Sequence, residues 1–564
     1  MNRAERRRQD KLQPSPPGSH PAALHPLLQE AIAHHRAGRL REAEALYQQI
    51  LALEPQHAEA NHLLGLIAYR TGQLDRAAEL LGQATSSHPT QSTYWFNLGV
   101  VLQKQGKWDD ALSVYRRALS LNPAHAEAHT NVGNVFMDQG KPAEAEASYR
   151  EALRIKPEYV EARNNLGVAL KEQDRFTEAE AAYRDALALA PSHVEAHCNL
   201  GAALMDEGRL DEATACLEQA LRLKPEYLKA IYHLAFAFLR RTQFDQAVEY
   251  FRRSAAIKHV HAPRTTEPWV TRARLKHDAE QAQYLFDRGL IGPARSQYVG
   301  ALQALHARMA SHEGEPVRVR LAPEEWASIA PSFETILYYA DAPALAAGAL
   351  NPDLNVPEIE ARYHATHPEV MHIDHLLTNE ALASLRKFCL ESTIWKRGYD
   401  NGYLGAFLGD GFSCPLLLQV AEELRLRFPR IFGKHLLTQA WAFKYDSERV
   451  GLNIHADAAA VNVNFWITPD GANLNPSSGG LIVWDKEAPR DWNFREYNST
   501  SREPKVREFL EASGARPVTI PYRANRAVVF NSDLFHETDR FHFRDEYDSR
   551  RINVTLLYGR RSQA

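Results

Sequence analysis

The chain has 564 residues and a formal net charge of -4, and 24% of its residues are charged. This length is enough for about three or four domains with buried cores. The composition is that of a soluble globular protein, and the weak negative charge argues against nucleic acid or an acidic membrane surface as a partner. The four cysteines lie far apart without a CxxC pair, which favours reduced thiols over a disulfide framework or a zinc site.

The N-terminal segment is basic and then rich in proline, with no apolar run. We therefore predict a disordered basic tail over residues 1–20 and no secretory signal. No later segment approaches the roughly 18 uninterrupted apolar residues of a membrane-spanning helix, so no membrane association is expected. Together with the cysteine pattern, these features predict a cytoplasmic protein.

Small residues and prolines recur with one fixed period between positions 24 and 259, the period that separates Pro55 from Pro89. Small residues let paired antiparallel helices approach closely, and proline ends each second helix. The pattern resembles the tetratricopeptide repeat, which implies an all-α solenoid of seven units over residues 24–259. The seventh unit lacks the core glycine and the closing proline, as expected of a unit that joins another domain. The recurring positions are Pro55, Pro89, Pro123, Pro157, Pro191 and Pro225, the core glycines Gly65, Gly99, Gly133, Gly167 and Gly201, and the turn glycines Gly38, Gly72, Gly106, Gly140 and Gly208.

Four units carry an asparagine at the same place in their first helix. The first helices of such a solenoid line a concave groove, where a row of carboxamides could pair with an extended peptide backbone. This row is similar to that of the peptide-binding repeats of O-GlcNAc transferases; the alternative is that asparagine is simply common at this position. The repeats predict a protein or peptide partner without naming one. The four residues are Asn97, Asn131, Asn165 and Asn199.

The period is lost after residue 259, and residues 260–368 are predicted to form a helical connector with no chemistry of its own. Apolar residues follow Arg274 at helical spacing, and the basic residues of this region are expected to face solvent. From Val370 the pattern predicts a short strand, a helix cap at Thr378 or Asn379, and a helix. This order resembles the beginning of prolyl-hydroxylase-like oxygenase domains.

The chain contains six His-x-Asp or His-x-Glu pairs, and most have a structural explanation. Three occur at one place in the repeat, where they fit the start of a helix. Only His455 and Asp457 are flanked by two alternating segments, residues 439–445 and 461–467, which predict strands. On a strand, both side chains would lie on one face because side chains repeat every second residue. The six pairs begin at His57, His125, His193, His367, His372 and His455.

Further short apolar segments with turn signals lead from His455 to a distant histidine, His536. They predict a double-stranded β-helix, a jelly roll with flanking helices, over residues 369–562. Residues 486–516 resemble a polar, mostly irregular insertion that could form a lid. Two histidines and one carboxylate are a ligand set for non-haem iron(II), and an arginine near the end of the chain offers a fork for a carboxylate.

Residues 370–560 resemble the iron(II)/2-oxoglutarate-dependent dioxygenases. The resemblance implies that His455, Asp457 and His536 bind Fe(II) and carry the catalysis. It also implies that Arg551 binds the distal carboxylate of the co-substrate 2-oxoglutarate, with Tyr445 hydrogen-bonded to the same carboxylate. The separation of the two histidines in sequence is longer than usual for the family, which the insertion would explain.

The segment that contains Arg551 has alternating polar residues. Arg551, Asn553 and Thr555 would share the inner face of the barrel, and Arg550 would then point outwards. His542 and Arg544 are candidates only for contact with the substrate.

The sequence therefore predicts a dioxygenase that hydroxylates a protein or peptide side chain captured by the repeat groove. An aspartate at position 457 favours hydroxylation over halogenation, because halogenating relatives lack that carboxylate. Two alternatives remain: a non-catalytic repeat scaffold with a cupin-like barrel, and a small-molecule hydroxylase that its repeats localise. A glycosyltransferase is disfavoured because the second half has no alternating β/α pattern and no phosphate-binding glycine loop.

Overall fold

A computed structural model of the protein shows two compact units, which divide between Leu223 and Lys224. The tail predicted over residues 1–20 lies outside the described residues. None of the helices in the described part of the chain is both long and apolar enough to cross a membrane. The structure describes residues 21–260, 269–310, 317–446, 448–449, 454–489, 492, 497–498 and 502–559.

Fourteen helices in seven antiparallel pairs occupy residues 21–260 of the described chain. Six pairs belong to the first unit, and the seventh pair, α13 (Leu228–Arg240) and α14 (Phe244–Val260), belongs to the second. The helices of the first unit are α1 (Pro21–Arg36), α2 (Leu40–Leu53), α3 (Ala58–Arg70), α4 (Leu74–Ser87), α5 (Ser92–Lys104), α6 (Trp108–Leu121), α7 (Ala126–Asp138), α8 (Pro142–Ile155), α9 (Val160–Lys171), α10 (Phe176–Leu189), α11 (Val194–Asp206) and α12 (Leu210–Leu223).

Contacts within each pair explain the period of the repeats. A Cβ atom added at Gly133 would lie 2.5 Å from the ring of Tyr149, so only glycine lets α7 approach that ring. The turn glycines have φ of 71–79°, in the left-handed region where glycine carries no steric penalty. Each recurring proline follows a second helix, as Pro157 follows the end of α8. The pairing predicted from the sequence is confirmed.

The histidines of the three repeat pairs cap helices. Nδ1 of His57, His125 and His193 accepts a hydrogen bond from the backbone N–H three residues later, at 3.1–3.3 Å. Such a bond satisfies one of the open donors at a helix N-terminus. The interpretation that these His-x-Glu pairs belong to helix starts is confirmed.

The second unit contains eight further helices in its described residues. In α15, Leu275 and Ala279 are buried, as the helical spacing predicts. Arg274 is buried too, and its Nε donates to Asp278 Oδ2 at 2.6 Å. The expectation that the basic residues here face solvent is wrong for Arg274, because α15 packs against α19 and the neighbouring strands. The helices are α15 (Arg272–Asp287), α16 (Ser296–Ala310), α17 (Pro323–Phe333), α18 (Val356–Ala365), α19 (Asn379–Glu391), α20 (Pro415–Arg427), α21 (Pro429–Phe432) and α22 (Glu503–Ala512).

The strands of the second unit form antiparallel sheets. A seven-stranded sheet has the order β3-β11-β8-β14-β6-β5-β4, and a three-stranded sheet has the order β10-β9-β12. Two ribbons, β1-β2 and β13-β7, complete the pairings of the described residues. The strands are β1 (Trp269–Thr271), β2 (Arg318–Arg320), β3 (Val370–Ile373), β4 (Arg397–Gly398), β5 (Tyr403–Phe407), β6 (Leu437–Tyr445), β7 (Glu448–Arg449), β8 (Val461–Trp466), β9 (Leu481–Glu487), β10 (Pro517–Ile520), β11 (Ala527–Asn531), β12 (Leu534–Thr538), β13 (Phe541–His542) and β14 (Ile552–Tyr558).

The seven-stranded and three-stranded sheets share one apolar core. Trp466 of β8 and Phe530 of β11 pack in the same cluster as Val483 of β9 and Leu534 of β12. Burial of such side chains contributes about 1.5–3 kcal/mol each, so this shared core stabilises the contact between the two sheets. The protein is thus a set of helical repeats followed by a β-rich region.

Candidate metal centre

His455, Asp457 and His536 converge on one point. His455 and His536 form an isolated antiparallel bridge, with N–H to carbonyl distances of 3.0 and 2.8 Å, and their ring centroids are 4.4 Å apart. Asp457 Oδ2 lies 3.4 Å from His536 Nε2. The three side chains present ligand atoms within 4.8 Å of one another, the only such group among the described residues. Side chains from distant parts of the sequence can therefore reach a single cation.

The sequence predicted that His455 and Asp457 lie on one strand, but the structure does not place them on one. Only His455 forms a bridge, and β8 begins at Val461. The Asp457 N–H instead donates to the Ser532 carbonyl at 3.2 Å. The ligands are brought together because His455 bonds to β12 and Asp457 bonds to Ser532, in the turn between β11 and β12.

Hydrogen bonds prepare two of these residues to act as ligands. Nδ1 of His536 lies 3.1 Å from the Leu534 carbonyl, which fixes the ring and leaves Nε2 directed at Asp457. Burial raises the pKa of Asp457, but His536, His455 and the Asn462 amide outweigh it and hold that pKa below the ordinary value. Asp457 and His536 are only 6% and 4% exposed. Asp457 is thus a buried carboxylate beside two imidazoles.

A ladder of amides connects Asp457 to the last strand. Asn462 Nδ2 donates to Asp457 Oδ2 at 2.7 Å, and Asn464 Nδ2 donates to Asn462 Oδ1 at 2.6 Å. Asn464 Oδ1 in turn accepts from Asn553 Nδ2 at 2.8 Å and from Thr555 Oγ1 at 2.7 Å. Sequence reasoning missed the roles of Asn462 and Asn464, although two asparagines on one face of an apolar strand were a signal that could have shown them.

Arg551 is fully buried (0% exposed) beside Tyr445, with its guanidinium carbon 4.7 Å from the centre of the tyrosine ring. Its Nε donates to the Gly479 carbonyl at 2.7 Å and Nη2 to the Gly480 carbonyl at 3.2 Å. Among the described residues, nothing hydrogen-bonds Nη1. Burial lowers the pKa of Arg551, while Tyr445 and another nearby tyrosine oppose that shift. A buried cation with a donor to spare is suited to an anion.

The two glycines that bind Arg551 are required by the backbone. Gly479 has φ of +84°, and a Cβ added at Gly480 would lie 1.8 Å from the Ile520 carbonyl oxygen. Only glycine lets β9 begin this close to β10. Their role in holding Arg551 was missed from the sequence, where the Gly-Gly pair indicated only the start of a strand.

The other residues predicted for this site are distributed unequally. Arg550 turns to the opposite face of the chain from Arg551, but it is buried there at 3% exposure, with Nη2 2.6 Å from Glu280 Oε1. Asn553 lies on the same side as the metal ligands, and its Oδ1 has no donor among the described residues. His542 and Arg544 are exposed and line neither of the two cavities at this site.

Two cavities lie at the triad, both inside the second unit. A small one of about 20 Å³ is lined by all three ligand residues together with Tyr445 and Asn553. A larger one of about 990 Å³ is also lined by His455 and Asp457, and it extends from them to α13 and α14. The candidate metal centre is therefore accessible from a large cleft.

In the segment predicted as an irregular insertion, residues 486–516, the described residues contain more regular structure than expected. β9 continues to Glu487, and α22 buries Val506 and Leu510 in an apolar cluster that includes the aromatic ring of Phe535. Asn498 Nδ2 donates to the Ala456 carbonyl at 2.7 Å and lies 3.5 Å from Asp457 Oδ1. The segment thus contributes directly to the metal centre; its action as a lid stays a prediction.

The asparagines predicted to grip a peptide already bond other repeat residues. Each side-chain amide lies within hydrogen-bonding distance of a preceding helix, at 2.7–3.3 Å, and all four bonds link one repeat to the previous one. Such bonds stabilise the stacking of repeats. They agree with the alternative that asparagine is simply common at this position of the repeat. Their binding of a peptide backbone stays a prediction. The partners are His62 for Asn97, Tyr115 for Asn131, Asn134 for Asn165 and Asn164 for Asn199.

Comparison with known proteins identifies the helical part. Family models described as tetratricopeptide repeat match residues 34–98, 96–160, 133–194, 194–227 and 229–256. The N-terminal half therefore consists of tetratricopeptide repeats, a scaffold suited to protein interaction.

Solved structures similar to this chain include the following three. A tetratricopeptide repeat protein from Parabacteroides merdae is 19% identical with a TM-score of 0.38, over 43% of this chain and 95% of that one. MamA is 23% identical with a TM-score of 0.27, over 28% and 93%. YrrB, described as a TPR protein with an unusual peptide-binding site, is 24% identical with a TM-score of 0.27, over 33% and 95%. No curated protein matches the chain.

Proposed function

We propose that the second unit is an Fe(II)/2-oxoglutarate-dependent dioxygenase and that the protein hydroxylates a protein or peptide side chain. The observation that carries the proposal is the convergence of His455, Asp457 and His536, because two histidines and one carboxylate on one side of a site are the ligands of non-haem iron(II) oxygenases. The repeats supply a surface suited to a protein partner, and the proposed location is the cytoplasm.

The strand arrangement supports a double-stranded β-helix for this unit. Two antiparallel sheets share one apolar core, as in jelly-roll folds. His536 lies on β12 of the smaller sheet, while Asn553 and Asn464 lie on β14 and β8 of the larger sheet. Residues from both sheets thus face one internal site.

The unpaired donor of Arg551 supports 2-oxoglutarate as co-substrate. An arginine with no solvent contact and an open Nη1 would donate to the distal carboxylate, and the Tyr445 ring beside it limits where that carboxylate lies. The small cavity has a volume of only about 20 Å³, so binding there requires neighbouring side chains such as Phe443 or Leu481 to move.

In this mechanism, the residues of the chain would bind the metal and the co-substrate, orient them and exclude water. Bound Fe(II), with 2-oxoglutarate and oxygen, would supply the oxidising chemistry. His455 and His536 would donate neutral nitrogens, and Asp457 a negative charge that the Asn462 amide holds in place. The half-buried aromatic rings on the larger cavity would keep water from the reacting atoms.

The test compares His455→Ala with His542→Ala, which alters an exposed histidine outside both cavities. The measurements are anaerobic Fe(II) binding and succinate formation from 2-oxoglutarate in the presence of candidate peptides. We expect His455→Ala to lose both, while His542→Ala retains them. Equal Fe(II) binding and succinate formation by the two variants would refute the assignment. Absence of Fe(II) binding in the unaltered protein would support a non-catalytic scaffold instead.

A further inference from the structure

The larger cavity, of about 990 Å³, has one wall made by the seventh helical pair. The four lining residues of α13 occupy positions i, i+1, i+4 and i+5, which lie on one face of a helix. α13 is the first helix of its pair, the position that lines the binding groove in repeat solenoids. The helical lining residues are Leu228, Lys229, Tyr232 and His233 of α13 and Ser254 and Lys258 of α14.

This helical wall is fixed to the β-rich part of the unit. Lys258 Nζ lies 2.8 Å from Asp410 Oδ1, and Ser254 Oγ donates to the Gly409 carbonyl at 3.3 Å. A Cβ added at Gly409 would lie 2.9 Å from the Tyr232 ring, so the two surfaces approach as closely as glycine allows. The seventh pair is therefore a permanent side of the cleft.

Another wall of the cavity consists of aromatic side chains on β5, β6 and the loop before β5. The Tyr399 and Tyr403 rings stack with centroids 4.4 Å apart, and Phe443 follows at 5.1 Å from Tyr403. Such rings give a large apolar contact area with little loss of side-chain freedom. The wall leads directly to His455 and Asp457. Its members are Tyr399, Tyr403, Phe407, Trp441 and Phe443.

Positive charge exceeds negative charge at the end of the cleft away from the triad. The buried carboxylate Asp410 is shared by Lys258 at 2.8 Å and Arg397 at 2.5 Å, so it neutralises only one of these two cations. Exposed Lys229 adds a third cation to the same lining. The other carboxylate of the lining, Asp457, belongs to the metal centre. An anionic group would therefore be attracted to this end of the cleft.

We propose that the cleft binds a polypeptide segment with an acidic residue, aspartate or glutamate, close to the side chain that is oxidised. The inference rests on the proposed function and names its substrate class. The acidic side chain meets Lys229 and Arg397, while neighbouring residues pack on the aromatic wall. A polypeptide fits better than a small acid because one wall is a repeat helix and because the volume is at the upper end for small-ligand sites.

The experiment measures binding without turnover, in the full chain kept free of iron. The probes are three fluorescent peptide pools that are randomised except for one central residue, fixed as glutamate, glutamine or lysine. Anisotropy should show that the glutamate pool binds about tenfold more tightly than the other two. Equal affinity of the glutamate and glutamine pools would overturn the proposal. So would displacement of the peptide by free glutarate at the same concentration, because it would show a site for a small acid.

Charge variants locate the site. Lys229→Glu and Arg397→Gln should each remove most of the preference for the glutamate pool and leave the glutamine pool unchanged. Lys387→Glu makes the same charge change as Lys229→Glu at an exposed residue of α19 outside the cleft, and it should have no effect. If all three variants behave alike while their melting temperatures are unchanged, the proposal is wrong. Peptide binding does not depend on iron, so a failed succinate assay with intact peptide selectivity would refute only the proposed enzymatic function.

Discussion

Replacement of Arg551 by methionine tests the proposed 2-oxoglutarate site most directly. Arg551 has no solvent exposure, and its Nε and Nη2 are already bonded to the Gly479 and Gly480 carbonyls. Nη1 therefore offers the open N–H groups, which could make one or two charge-assisted hydrogen bonds to a carboxylate. At about 1.5–3 kcal/mol for each such bond, their loss amounts to about 3 kcal/mol. This value corresponds to about a 100-fold rise in the Kd for 2-oxoglutarate.

The assay is calorimetric titration of 2-oxoglutarate into the iron-loaded protein without oxygen. Arg550→Met is the matched control, since Arg550 is equally buried but faces Glu280 on the other side of the chain. We expect Arg550→Met to lower the melting temperature, because it leaves a carboxylate without its partner, and to leave the Kd unchanged. An unchanged Kd in folded Arg551→Met, or a larger effect in Arg550→Met, would contradict the reasoning.

Three further outcomes follow from the structure. Gly133→Ala should lower the free energy of unfolding by about 1–3 kcal/mol, because the new methyl group clashes with a tyrosine ring. Gly82→Ala in α4, where nothing lies within 4 Å, should instead raise it by about 1 kcal/mol. Urea titration measures both free energies. Asn462→Leu should weaken Fe(II) binding about 10- to 100-fold, measured by competition with a chelator, without a comparable loss of melting temperature. Burial, and then the charge of Arg274, lowers the pKa of Lys396 to about 8. The charged lysine therefore destabilises the folded state fully below pH 8. This destabilisation decreases as the pH rises towards about 10.4, the pKa of lysine in the unfolded chain. Lys396→Met should accordingly be more stable than the unaltered protein near neutral pH by about 2 kcal/mol, and denaturation at several pH values should show this advantage shrinking above pH 8.

The repeats could be predicted almost completely from the sequence because their constraints are local and recur. A glycine opposite a tyrosine, as at Gly133 and Tyr149, leaves a mark at the same spacing in several units. A proline after the second helix of the first six units and a left-handed residue in each turn repeat in the same way. Even the turn of the fifth unit keeps this conformation, with φ of 58° at Asp174 where other units have glycine.

The candidate site could be predicted only for residues whose type is unusual. His455, Asp457 and His536 stand out because few residues can bind a metal, and the structure brings them together. Asn462 gave only a weaker signal, because asparagine has many structural roles and its bond to Asp457 depends on how the preceding segment folds back. The cleft was missed for a similar reason: Lys258 and Asp410 are 152 positions apart, and no local pattern connects them.

Repeat units before and after the division at Leu223 differ in how freely they could be gained or lost during evolution. Whole repeat units upstream of that point could be gained or lost, and the protein would acquire a longer or shorter surface for its partners. The seventh unit has no such freedom, since α13 and α14 supply one side of the cleft. A fragment that preserves this cleft must therefore start near Lys224, and one that starts at residue 269, at the first strand, would lack the helical wall of the cleft.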